Sequence, residues 1–239
     1  MIDRREFARL VVHRFRGRFS VELGLDVDQR PGDVERWFLA ATLFGTRIST
    51  AIAMRTYRTL AAGGVCTVPD AGKRSWDDLV VMLDEGGYAR YDFRTATRLQ
   101  HLATVLDAAW GGRVGHLLAE CRTRTAIETA LDELPGWGTV TVRLFLRELL
   151  LDERPAIDER AVAAGVHVGL ISSADPAKAA AGIRRAAAAA ALDARDLEAA
   201  LVRLCLRHRR MDGCPGGSGC TLLATRTLQP RRAKTVRRS

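Results

Sequence analysis

Three observations predict an all-α fold. No stretch alternates apolar and polar residues with the period of two that a half-buried strand needs. Apolar residues recur at helical spacing instead, as Phe7, Leu10, Val11 and Phe15 do. Late in the chain the alanines of 176–192 give a run of strong helix formers.

The elements follow in order. Residues 3–16 form an arginine-rich amphipathic helix, and 21–31 read as a connecting loop. Asp33 caps the next helix, in which Trp37, Phe38, Ala41, Leu43 and Phe44 give an apolar face broad enough for a buried element. Gly45-Thr46-Arg47 interrupts it, and the helix over 49–62 ends at Gly63-Gly64. Helices over 76–83 and 95–110 close at Gly86-Gly87 and Gly111-Gly112, followed by helices over 114–121 and 126–134. A turn at 134–138 leads into an apolar helix running through Leu151, and Asp158 starts another over 159–170. The last pair spans 176–192, with Pro176 in a favoured early position, and 193–208.

Composition narrows the function. The 239 residues are enough for one large or two small domains, and 47% hydrophobic content is ordinary for a globular chain. A net charge of +9 and a pI near 10.0 favour polyanionic partners. Of that charge, +5 lies in Arg231, Arg232, Lys234, Arg237 and Arg238, leaving +4 for the body. The tail, 229–239, reads as a disordered basic appendage. The charged start lacks the pattern of a signal peptide. The longest apolar region, 37–54, is broken by arginine at its edges and inside it, which excludes a membrane span. Five cysteines, three of them close together (Cys205, Cys214, Cys220), fit a metal site in a reducing cytosol better than a disulfide framework.

The most informative stretch is Leu134-Pro135-Gly136-Trp137-Gly138. Its glycines permit positive φ, and the helix that follows opens with unpaired N–H groups and a positive dipole end. Such a turn is a phosphate seat, with the Asp158 carboxylate a fixed length of chain beyond it. The same turn also joins helices with no ligand at all, and aspartate is a common N-cap.

The segment 134–170 resembles the helix-hairpin-helix and catalytic-aspartate element of the endonuclease III superfamily of DNA glycosylases. Asp158 stands eighteen positions after Val140, and the two align with the family's aspartate and lysine without a gap. Upstream, Leu43-Phe44-Gly45-Thr46-Arg47 lies where the family has its damage-probing loop. Leu83-Asp84-Glu85-Gly86-Gly87-Tyr88 resembles its glycine-tyrosine turn.

The resemblance implies two helical lobes with a DNA cleft between them. The continuous lobe would span 32–145, and 1–31 with 146–228 would form the second. It implies DNA contacts from Leu134, Pro135, Gly136, Trp137, Gly138, Thr139, Val140 and Thr141, and from Thr46 and Arg47. Trp137 would either pack on DNA sugars or brace the turn, and Tyr88 and Tyr91 would line a base pocket or pack in the core.

Asp158 would be catalytic, stabilising positive charge on the sugar or activating water. The dipole of the helix it opens favours its ionised form. The family's lysine, which forms a Schiff base in bifunctional members, is replaced by Val140. The only lysines are Lys73, Lys178 and Lys234. The expectation is a monofunctional DNA N-glycosylase acting on a damaged or mismatched base in double-stranded DNA, as a cytoplasmic, nucleoid-associated monomer. Two alternatives stay open: a catalytically silent reader of distorted or abasic DNA, and a glycosylase/lyase using a displaced lysine such as Lys178.

Cys205, Cys214 and Cys220 resemble the family's 4Fe–4S loop, but Met211 stands where one of its four cysteines belongs. His208 or Asp212 would complete an iron site. Cys205, His208, Cys214 and Cys220 would make a Cys₃His zinc site. The third possibility is a loop with no metal.

Overall fold

The computed structural model describes residues 3–45, 48–151, 156–208 and 211–223. Thr46, Arg47, Pro155 and the 229–239 tail lie outside the described residues. Among those described there are thirteen α-helices and no strand, so the fold is all-α. No helix among them is long and apolar enough to cross a membrane.

The chain forms two compact units, one continuous over Arg18–Ala156 and one split between Met1–Gly17 and Ile157–Ser239. These limits differ from the 32–145 expected for the continuous lobe, and the reason is local chemistry. Phe19 and Ser20 donate their backbone N–H groups to the Glu148 carboxylate at 2.7 and 2.6 Å. Leu25 and Val27 enter the same core. Residues 18–31 and 146–151 are thereby held in the continuous unit.

That unit is built on α3 (Pro31–Phe44), in which Trp37, Phe38, Leu39, Ala40, Ala41 and Leu43 are all fully buried. Its N-cap is Arg30, not Asp33 as the sequence had implied. Asp33 lies inside the first turn, where its carboxylate accepts from the Asp26 N–H at 2.9 Å and from Arg36 at 3.2 Å. Before α3 comes a single turn of helix, α2 (Phe19–Glu22).

After α3 come α4 (Thr50–Ala62), α5 (Val68–Gly72) and α6 (Trp76–Leu83). Ser49 and Ser75 cap α4 and α6, and Thr67 with Asp70 forms a capping box on α5. A π-helical segment (Asp84–Tyr88) extends α6 through the Gly86-Gly87 pair. Then follow α7 (Asp92–Trp110), stopped by left-handed Gly111, α8 (Val114–Glu120), α9 (Arg124–Asp132) and α10 (Thr139–Glu148). The last ends before the expected Leu151, because Leu149 is already extended.

The split unit packs α1 (Arg4–Phe15), α11 (Glu159–His167), α12 (Pro176–Ala189) and α13 (Ala194–Arg207). Asp158, Asp175 and Asp193 cap the last three, each carboxylate accepting from a backbone N–H two or three residues on. Phe7, Val11 and Phe15 of α1 join Ile183, Leu197, Leu201 and Leu204 in its core. Helix α11 stops three residues short of the expected Leu170, since Gly169 turns left-handed at φ 72°. Arg4 and Arg9 donate to the carbonyls of Leu170 and Ala190, anchoring α1 to both loop ends.

Candidate nucleic-acid site and cysteine loop

In the continuous unit the hairpin is α9, the turn at 134–138 and α10. Gly136 has φ 79°, and the Trp137 N–H closes the turn on the Leu134 carbonyl at 3.0 Å. Gly138 is the N-cap of α10 and supplies no side-chain cap. The first N–H groups of α10 therefore have no side chain to satisfy them. Gly136, Thr139 and Val140 are exposed, Val140 at 71%. Pro135 and Gly138 are half-buried, and Arg143, one turn further along α10, is exposed.

The remaining hairpin residues face inward. Leu134, Trp137 and Thr141 are buried, and their side chains pack beneath the turn. Trp137 stacks on Phe38 with ring centroids 4.5 Å apart, and its Nε1–H donates to the Thr42 hydroxyl at 3.2 Å. Of its two expected roles, bracing the turn is the one its contacts show.

Tertiary packing brings Gly45 and Arg98, both remote in sequence, against this hairpin. Gly45, at the start of the loop matched to damage probing, lies against α10: a Cβ there would come 2.5 Å from the Thr141 hydroxyl. The loop's next residues, Thr46 and Arg47, lie outside the described residues. Tyr88 is buried and donates its hydroxyl to the Leu43 carbonyl, which makes it a core residue. Tyr91 is half-buried, its ring edge-on to that of Tyr88.

Arg98 of α7, which the sequence did not single out, completes the cluster. Its stem fills the space over Gly136, where a Cβ would overlap Arg98 Cδ. Its Nε and Nη2 are buried without a hydrogen-bond partner, and burial lowers its pKa below the ordinary arginine value. Desolvated guanidinium nitrogens behind an exposed turn are suited to attracting an anion.

Asp158 belongs to the split unit, directly after the chain crosses between units at Ala156–Ile157. It is 7% exposed. Its Oδ1 accepts from the Arg160 N–H at 2.9 Å and from Arg160 Nε at 3.3 Å, and its own N–H donates to Glu198 Oε1 at 3.4 Å. Glu198, of α13, is itself buried. The aspartate is thus a helix cap whose carboxylate is held in one place.

The cysteine loop departs from the set read from the sequence. Among the described residues, His167, His208, Cys214 and Cys220 bring one ligand atom each within 4.8 Å of all the others. Cys205 is not in this group. The charges of Arg160 and Asp158 reach its sulfur, and burial raises its pKa. His167 takes its place from the end of α11, a position with no cysteine-like spacing to announce it.

Backbone N–H groups of Gly216 and Thr221 hold the Cys214 thiol down to about 5, whereas burial raises that of Cys220. A 4Fe–4S cluster takes four thiolates. Two thiols and two imidazoles drawn this close do not fit one. No protein-family model and no curated protein matches this chain.

Proposed function

We propose that this chain is a monofunctional DNA N-glycosylase of the helix-hairpin-helix kind, releasing a damaged or mismatched base from duplex DNA. The carrying observation is the hairpin itself. A left-handed Gly136 and an uncapped, exposed opening of α10 are backed by a buried Arg98 whose Nε and Nη2 have no hydrogen-bond partner, and Asp158 caps the next helix. The turn and α10 would seat a backbone phosphate by N–H donation and dipole, with exposed Arg143 adding charge nearby.

Asp158 would serve the reaction as a carboxylate. As the glycosidic bond breaks, its electron pair leaves with the base and the sugar carbon gains positive charge, which a fixed carboxylate stabilises; water then adds to that carbon and its proton ends on the departed base. By the resemblance, Val140 holds the position of the family's sugar-attacking lysine; it is exposed and has no amine. The product is therefore an intact strand carrying an abasic site.

A base-release assay over duplexes each carrying one lesion tests this reading. Strand breaks that need alkali are the expected result, and breaks without alkali would assign lyase chemistry instead. One observation favours a second reading, a silent reader of distorted DNA: the Asp158 carboxylate is already engaged by Arg160 and the helix start. No base release from any duplex, with tight binding to abasic DNA, would establish that reading.

A further inference from the structure

Four ligand-type side chains from three separate segments meet at the C-terminal end of α11. His167 is the last residue of that helix, His208 is the C-cap of α13, and Cys214 and Cys220 come from the loop beyond. Their ligand atoms lie within 4.8 Å of one another. Tetrahedral zinc, with bonds of about 2.3 Å to sulfur and 2.0–2.1 Å to nitrogen, sets its ligand atoms about 3.3–3.8 Å apart. Side-chain adjustments of an ångström or so would close the site around one ion.

A second observation points to a ligand. The Nε2 atoms of both His167 and His208 are buried with no hydrogen-bond partner. His208 is nine-tenths buried, and the two rings stand edge to face with centroids 4.9 Å apart. Paired orphan nitrogens beside two thiols are costly unless something accepts their lone pairs. The loop is shaped to this end, since Gly216 at φ 67° lies so close to His167 that a Cβ would come 2.6 Å from its carbonyl oxygen.

We infer that His167, His208, Cys214 and Cys220 hold one structural zinc ion, in place of a cluster on four thiolates. Both sulfurs bind as thiolates, so two thiolates balance the charge of Zn²⁺ and both imidazoles bind neutral. A closed set of two nitrogens and two sulfurs with no open position is the pattern of a structural ion. The zinc ties the end of α11 to the end of α13, and the Asp158–Glu198 hydrogen bond ties the start of α11 to the same helix. The ion thereby helps to position the helix that Asp158 caps.

The test is metal analysis of the full chain, purified with reductant and no added metal. About one zinc per chain in a colourless protein is expected, and Co²⁺ added after chelation should give the strong visible absorption of tetrahedral thiolate-bound cobalt. Cys214→Ser and His167→Ala should lose the ion, whereas Cys205→Ser should keep it. Cys214 is half-buried at the edge of the core, and serine replaces it with little change of shape, so its variant probes binding with the fold kept. Iron with an equal amount of inorganic sulfide would overturn the inference. So would metal loss in Cys205→Ser with retention in His167→Ala, or failure of the unmodified chain to bind either zinc or Co²⁺.

Discussion

The stem of Arg98 occupies the space that any Cβ at Gly136 would need. The hairpin turn and α7 are thus fitted together at one atom's clearance, with two guanidinium nitrogens left buried and unpaired. A left-handed backbone at 136 and the closeness of Arg98 demand glycine for separate reasons.

Gly136→Ala should therefore destabilise the chain by about 2–3 kcal/mol, combining left-handed strain with displacement of Arg98. Urea denaturation measures the loss. Adding Arg98→Ala should recover part of it, with a coupling of at least about 0.5 kcal/mol. Strict additivity would show that the two residues do not share this space.

Trp137→Phe keeps a ring against Phe38 but removes the Nε1–H bond to Thr42. A cost of about 1 kcal/mol in stability is expected. Affinity for duplex DNA, measured on the folded variant, should be unchanged. A large fall in affinity at full stability would put the indole on the DNA instead.

Asp158→Asn separates chemistry from architecture, because asparagine caps helices as well as aspartate does. Melting should shift by no more than about 0.5 kcal/mol equivalent, and the half-exposed Arg160 partner adds little to that. Base release should fall by about 100-fold or more. An active variant would remove Asp158 from the reaction.

Glu148 gives a pH dependence. Burial pushes its carboxyl from an ordinary 4.5 up to about 7, against the pull of the Ser20 and Phe19 N–H groups and of Arg18. Between those two values the folded chain holds a proton that the unfolded chain releases. This contribution is therefore complete below pH 4.5 and lost as pH rises through 7, a difference on the order of 3 kcal/mol. Urea midpoints across that window should fall with pH, and Glu148→Gln should flatten the slope while lowering stability throughout.

Gly216→Ala carries left-handed strain of about 1–2 kcal/mol and presses on the His167 carbonyl. Zinc retention against a chromophoric chelator should weaken about tenfold or more. Equal retention would show that the loop's approach to His167 does not matter to the ion.

Local signals in this chain were legible because they act over a few residues. The alanine run, the aspartates at 158, 175 and 193 and the glycine at 111 each start, sustain or end a helix through neighbours within one turn. Where reading failed locally, a longer contact had prevailed. Asp33, expected as a cap, is drawn inside its helix by the Asp26 N–H and Arg36. The domain limit expected at 145 moved to 156 because Glu148 reaches back to Phe19 and Ser20.

By itself, then, the sequence determined the helical class, the turn at 134–138 and the aspartate that opens the following helix, all features of spacing along the chain. Only the tertiary structure decided that Trp137 braces rather than reaches, that Arg98 backs the turn, and that His167 stands among the clustered ligand-type side chains where Cys205 was expected. The reason is geometric. Periodicity reports which face of a helix is apolar, but which buried nitrogen meets which sulfur depends on how helices remote in sequence pack, and no local pattern encodes that.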